Sequence, residues 1–237
     1  MPSEDELVFN IVVTGDVFAH LKYFIASLIG ESSARFRLVV NACTPESVEL
    51  MHAFAADHAD RVTDVVEVSR DTMVGHGKAL DLLMEQRHDG DWFCFVDADI
   101  EARSAWLAPF CQLLGRYDVV SSGKEVWTDD NVVDKAHLGF GLGGRHFYHP
   151  DGFVYGCPHL AMYRREALDD TQRRWGVVFG QRGDDLSDAM TARLDEAGHL
   201  YKAYDTAKVV NILLQLDGHT LIHEENPELV HIGGLSH

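Results

Sequence analysis

Positive charge is scarce in this chain. Against 38 acidic residues stand 20 lysines and arginines, a formal net charge of -18 over 237 residues. Such a field repels nucleic acid and anionic membrane surfaces, so neither is expected as a sequence-independent partner; an anionic substrate would need locally supplied positive charge. No apolar run approaches the roughly 18 residues of a membrane span, and the opening "MPSEDELVFN" is acidic where a signal peptide is basic, so no integral membrane segment and a cytoplasmic location are expected. Cysteine is sparse as well. The four cysteines form no CxxC pair, and their apolar contexts predict buried free thiols rather than disulfides or a zinc site. Internal repeats and low-complexity tracts are also missing.

What is present is an alternation of strand and helix that predicts an α/β fold with a mostly parallel sheet covered on both faces. "LVFNIVVT" (7–14) reads as the first strand, ended by Gly15 and Asp16, and Phe18 to Ile29 has apolar residues at helical spacing. "FRLVVNA" (36–42) is a second strand, followed by a helix with Thr44 as N-cap and Pro45 at its first position. Strands over 62–68 and 92–96 enclose a helix over 77–86; a helix from about 104 to 114 and a strand near Val119 follow. "HLAMYRREAL" reads as a short strand running into a helix, "GDDLSDAMTARLDEAGH" as a helix capped by Asp184 or Asp185 and ended by Gly198, and "PELVHIGGLSH" as a short strand leading into two glycines. Between 124 and 156, the glycine-, aromatic- and histidine-rich "GFGLGGRHFYHPDG" is too irregular for a buried element, and His146, Tyr148 and His149 there read as contacts of a substrate lid. With 46% hydrophobic residues, one globular domain over 1–237 is expected, 1–102 reading as a nucleotide-binding half and 103–237 as the half that selects what else binds.

The most informative stretch is "WFCFVDADIEA" (92–102), an apolar strand that ends in two carboxylates one residue apart. Aspartates are poor strand formers and costly to bury as ions, so a pair at the carboxyl end of a strand, where open α/β sheets bind ligands, calls for a partner. On an extended chain Asp97 and Asp99 would face the same side and reach one hard cation, Mg²⁺ or Mn²⁺, whose remaining positions suit a diphosphate. The competing reading is that the pair starts a turn or caps the next helix. In "GHGKALD", Gly75 and Gly77 permit close backbone approach at a helix start and Lys78 adds positive charge beside an anion site; a plain N-terminal cap with a solvated lysine is the alternative. Arg164 and Arg165 read as solvated charges at a helix start in preference to a diphosphate contact.

"FVDADIEA" after "GHGKALDLLME", with "MYRREAL" and "DDLSDAMTARLDEAGH" downstream, resembles the GT-A fold nucleotide-sugar glycosyltransferases, especially the large family that includes polysaccharide synthases and rhamnosyltransferases. The resemblance implies a Rossmann-like sheet and transfer of a sugar from a UDP- or GDP-sugar donor to an acceptor hydroxyl, with Mn²⁺ or Mg²⁺ as cofactor. It implies that Asp97 and Asp99 hold the metal, Asp99 as the more direct ligand and Asp97 also toward the ribose. His231 in "VHIGG" is implied as a third ligand, with His237 as a substitute. Thr14 and Gly15 would line the base pocket, Gly77 and Lys78 the nucleotide, and Asn41 stands where many relatives carry a carboxylate for the base or ribose. Asp184 and Asp185 are implied as the acidic pair that supplies the catalytic base of an inverting transfer, with Asp188 as an alternative; in a retaining enzyme they would orient the acceptor. Two further readings are a haloacid dehalogenase-type phosphatase, weakened because Ile100 and Glu101 follow the second aspartate, and a noncatalytic nucleotide-sugar binder.

Overall fold

The computed structural model describes residues 1–122, 159–182, 185–197 and 206–233. His146, Tyr148, His149, Asp184, Gly198 and His237, and with them the expected lid, lie outside the described residues. The elements in chain order are β1 (Val8–Gly15), α1 (Phe18–Gly30), β2 (Arg35–Cys43), α2 (Pro45–Asp57), β3 (Val62–Ser69), α3 (His76–Gln86), β4 (Trp92–Val96), β5 (Ile100–Ala102), α4 (Ala108–Leu114), β6 (Val119–Ser122), β7 (Leu160–Arg164), α5 (Arg165–Trp175), α6 (Asp188–Glu196), α7 (Lys208–Leu216), β8 (Leu221–His223) and β9 (Leu229–His231). A seven-stranded sheet has the order β3-β2-β1-β4-β7-β6-β8, and β5 and β9 form a separate two-stranded ribbon. β7 runs antiparallel to both its neighbours, while the other sheet pairings are parallel.

The strands are apolar on both faces because both are covered. Phe9, Ile11, Val13, Leu38, Cys94 and Val96 pack with α1, α2 and α4 on one side. Val12, Val39, Phe93, Phe95, Ala161 and Tyr163 pack with α3, α5 and α7 on the other. Thr44 caps α2, its side chain accepting from the Ser47 N–H, with Pro45 just inside. Cys94 and Cys111 are buried and Cys43 half-buried, all free; burial pushes the Cys111 thiol up to about 11, consistent with an inert packing role. No helix among the described residues is long and apolar enough to cross a membrane.

Several boundaries differ from the sequence expectation. The helix expected from Ser104 starts at Ala108, because the chain before it is tied elsewhere: the Ser104 hydroxyl donates to Glu228 and the Trp106 indole N–H to the Leu28 carbonyl. The cap of α6 is Ser187, accepting from the Met190 N–H, and not Asp185. The arginines are not simply solvated. Arg164 pairs in register with Trp92 at the amino end of β4, about 13 Å of strand away from Val96. Its guanidinium contacts Asp118 at 3.1 Å, and Arg165 is 5% exposed with its guanidinium 5.7 Å from the Phe93 ring. Both therefore sit at the end of the sheet opposite the aspartate pair.

A polar belt crosses the sheet at β1, β2 and β3. Asn10 on β1 donates to the Cys94 carbonyl of β4 and accepts from Arg37 on β2; Arg37, 4% exposed, donates to Asp64 on β3 and to both oxygens of Asp89 before β4. Charge-assisted bonds satisfy this buried guanidinium. The Arg37 bonds hold the Asp89 carboxyl below the usual carboxylate range. Its contribution to stability is therefore complete above the unfolded-state pKa near 4 and is lost as pH falls through the lower folded-state value. Asp89→Asn should thus be clearly less stable than wild type in urea at pH 7, and the gap should close progressively below about pH 4; a gap independent of pH would refute the assignment.

Candidate active site

The parallel strands β2, β1 and β4 are neighbours, so their carboxyl ends form one rim. Thr14 and Gly15 end β1, Asn41 lies near the end of β2, α3 opens with His76, Gly77 and Lys78, and Asp97 follows β4. Gly15 has φ +61 at the register shift beside Cys43, a conformation that glycine adopts without strain. Asn41 is fully buried, and its amide accepts from the Val74 N–H and donates to the Val74 carbonyl. It therefore clamps the loop before α3 instead of facing outward toward a ribose.

Asp97 and Asp99 do not share one face of an extended strand. β4 ends at Val96 and the chain turns at Ala98 and Asp99 before β5, so the period-two argument stops at the strand's last residue. Asp97 is half-buried, its carboxylate 3.9 Å from His76 Nε2. Asp99 is 1% exposed, its Oδ1 3.2 Å from His231 Nε2. His231 reaches it because β9 pairs antiparallel with β5, Ile100 opposite His231, and the Ile232 N–H bonds to the Asp99 carbonyl. A third group completes the cluster. His159, just before β7, accepts from the Asp97 N–H through its carbonyl at 2.8 Å and donates its N–H to the Ser122 carbonyl at 2.9 Å. One ligand atom each from Asp97, His159 and His231 lie within 4.8 Å of one another, a set that could hold a metal ion. Asp97 thus groups with both imidazoles, and Asp99 approaches His231. A cleft of about 860 Å³, bordered by Ile100, Ser122, Glu225 and Leu229, opens beside His159 and His231.

Sequence reasoning missed His76, His159 and Asp81. Asp81, one turn into α3 and 6% exposed, accepts from the Phe179 and Gly180 N–H groups at 2.7 and 3.0 Å. Burial raises its pKa, opposed by those two bonds. Gly77 explains the fit: a Cβ there would meet the Phe179 carbonyl oxygen at 2.6 Å and Gly180 at 2.7 Å. The close approach that this glycine permits is therefore by the protein's own backbone. Gln181 then donates to the Asp185 carbonyl at 2.8 Å, so exposed Asp185 is tethered a few residues from the start of α3; Asp188 is exposed in the first turn of α6. Lys78 is exposed at the start of α3.

The glycosyl transferase family 2 model matches residues 15–171, from the end of β1 into α5. The chain belongs to glycosyl transferase family 2. No curated protein matches it. Among solved structures it is similar to the mannosyltransferase PcManGT from Pyrobaculum calidifontis in complex with GDP-Man and Mn²⁺ (TM-score 0.52, 16% identity, 92% of this chain and 55% of that one). It is also similar to mouse xyloside xylosyltransferase 1 in the apo form (0.56, 9%, 92% and 85%) and to GalNAc-T7 with UDP, GalNAc and Mn²⁺ (0.53, 13%, 94% and 43%). At these identities the likeness is one of fold, the GT-A arrangement of a mostly parallel sheet between helices. The chain spans about half the length of the mannosyltransferase.

The packing around α3 yields a test of sign. Gly77→Ala should destabilise by about 1–3 kcal/mol in urea unfolding, because the added methyl meets backbone that must shift. Gly30→Ala, with open space around its Cβ near the end of α1, should be neutral or stabilise by up to ~1 kcal/mol. Asp81→Ala should destabilise by about 1–3 kcal/mol per donor it abandons.

Proposed function

We propose that this protein is a metal-dependent glycosyltransferase that moves a sugar from a nucleoside diphosphate donor, a UDP- or GDP-sugar, to an acceptor hydroxyl. The observation that carries the reading is the Asp97, His159 and His231 cluster at the carboxyl end of β4 in a family 2 chain. The GDP-Man and UDP complexes of the similar structures, both with Mn²⁺, support the donor class and the ion. Family membership leaves the phosphatase reading without support.

The donor set fits a divalent ion such as Mn²⁺ or Mg²⁺: Asp97 offers a carboxylate oxygen and His231 a ring nitrogen, while Asp99, 3.2 Å from His231 Nε2, stands where a carboxylate behind a metal-bound histidine would orient the ring. Bound there, the ion would neutralise the donor diphosphate and the charge that develops as it leaves. Thr14 and Gly15 line the rim where the base would lie, and Lys78 at the amino end of α3 adds positive potential for the phosphates. The cleft beside His231 has the volume to take the sugar and acceptor. In an inverting displacement, the acceptor oxygen forms a bond to the anomeric carbon and loses its proton to a carboxylate, while the bond to the diphosphate breaks. Asp184 and Asp185 are the proposed source of that carboxylate, with Asp188 next to them, and the tether through Asp81, Gly180 and Gln181 supports Asp185 in this role.

The test is a melting-temperature screen of UDP-, GDP- and dTDP-sugars with and without Mn²⁺. One donor class should stabilise the wild type only with the ion, by about 2.7 kcal/mol at a hundredfold excess over Kd. Asp97→Ala should abolish the response, and an unchanged response would overturn the reading. Asp185→Asn should keep the donor response while transfer falls by roughly 10²-fold or more.

A further inference from the structure

We propose that His159 is a direct ligand and that Asp97, His159 and His231 form a two-imidazole, one-carboxylate site that selects a transition ion over Mg²⁺. The inference rests on the metal-dependent reading and deepens it by naming a ligand and an ion class.

His159 is held in place from both sides. Its backbone carbonyl is bonded to the N–H of Asp97 and its N–H to the Ser122 carbonyl, so it extends the antiparallel alignment of β7 between the ends of β4 and β6. That alignment fixes its backbone beside that of Asp97. The second imidazole arrives from the other end of the chain, on β9, and the two rings lie with centroids 3.9 Å apart at an interplanar angle of 39°. Three independent elements thus converge on a spot where the candidate ligand atoms are mutually within 4.8 Å. The site borders the cleft, leaving room for ligands the protein does not supply.

Mg²⁺ favours oxygen donors in strict octahedral geometry and gives up water reluctantly. Replacing two oxygens with imidazole nitrogens penalises Mg²⁺ and favours Mn²⁺, with Co²⁺ stronger still in the usual order of divalent affinities. Two imidazoles and one carboxylate would leave the ion room for donors that the protein does not supply. The competing account is that the two rings merely stack on each other.

Metal alone separates these accounts, without any donor. The chelator-treated protein is titrated with Mn²⁺, following loss of the free-ion electron paramagnetic resonance signal, and bound imidazole nitrogens are counted by pulsed spectroscopy. The wild type should show two coordinated nitrogens, Co²⁺ should displace Mn²⁺, and Mg²⁺ should compete only at roughly 100-fold or greater excess. His159→Gln should leave one nitrogen and weaken Mn²⁺ binding about tenfold or more. Equal affinity and an unchanged nitrogen count in His159→Gln, together with lost binding in Asp97→Asn, would overturn this inference and leave the proposed function standing; a wild type that binds no ion would overturn both. Should His159→Gln fail to fold, the wild-type nitrogen count decides alone, one nitrogen overturning the proposal.

Discussion

A carboxylate cannot be removed from water as an ion without a partner that offsets its desolvation. Asp99 is 1% exposed, and His231 Nε2 stands 3.2 Å from its Oδ1, so the arrival of β9 brings a polar group to this buried carboxyl. For the imidazole to arrive, β9 must lie along β5, and the ladder from Ile100–His231 to Ala102–Leu229 brings the end of the described chain back to the tip of the central strand. Asn226 and Glu228 extend the same closure, the first donating to the Trp106 carbonyl and the second accepting from the Arg103 N–H and the Ser104 hydroxyl. The short ribbon is thus held by the Ile232 N–H bond to the Asp99 carbonyl at one end and by side-chain hydrogen bonds at the other, which compensates for strands too short to be stable alone.

A second tie acts on the opposite side of the same rim. Asp81 holds Phe179 and Gly180 against Gly77, and Phe179 also accepts from the Ala207 N–H at 3.0 Å, so the approach to α7 is fixed to α3 as well. Phe179 packs onto Phe93, Phe95 and Tyr163, which converts a loop into part of the core. The rim that would hold a nucleotide and the segment that carries the acidic residues are therefore linked by packing and hydrogen bonds. A disturbance at Gly77 or Asp81 reaches both.

The first half of the fold was legible because each element announces itself locally: β-branched runs between glycines, Pro45 inside a threonine cap, and an apolar strand ending in aspartates. The described remainder depends on long-range pairing. β8 is three residues long and carries too little pattern to read, whereas β9, equally short, shows as a strand in "PELVHIGG". α7, "KVVNILLQL", is buried around most of its circumference and has no polar face to set a helical period. His159 is one of fourteen histidines, and nothing in "CPHLAM" reveals that its backbone will bond to Asp97. The expected alignment of the aspartate pair failed for a local reason: the turn at Ala98 separates side chains that a continued strand would have placed on one face. Asn41 was placed on the correct rim, but its side chain serves the neighbouring loop.

The charge of the chain sets the terms on which such a rim could recognise a diphosphate. With a net charge of -18 and carboxylates at positions 97 and 99, the metal-free tip of β4 repels a polyanion. Lys78 and the opening of α3 supply only part of the opposing potential, since a surface ammonium is screened within about 8–10 Å at ordinary ionic strength. On the proposed reading a divalent ion reverses the sign exactly where the anion must sit, and the anion in turn supplies oxygens that complete the ion's coordination. Each then raises the affinity of the other by the same factor, because the coupling free energy belongs to the pair. On the same reading, an acidic protein of this design would discriminate against free anions through its own surface charge and would admit a donor only together with its counter-ion.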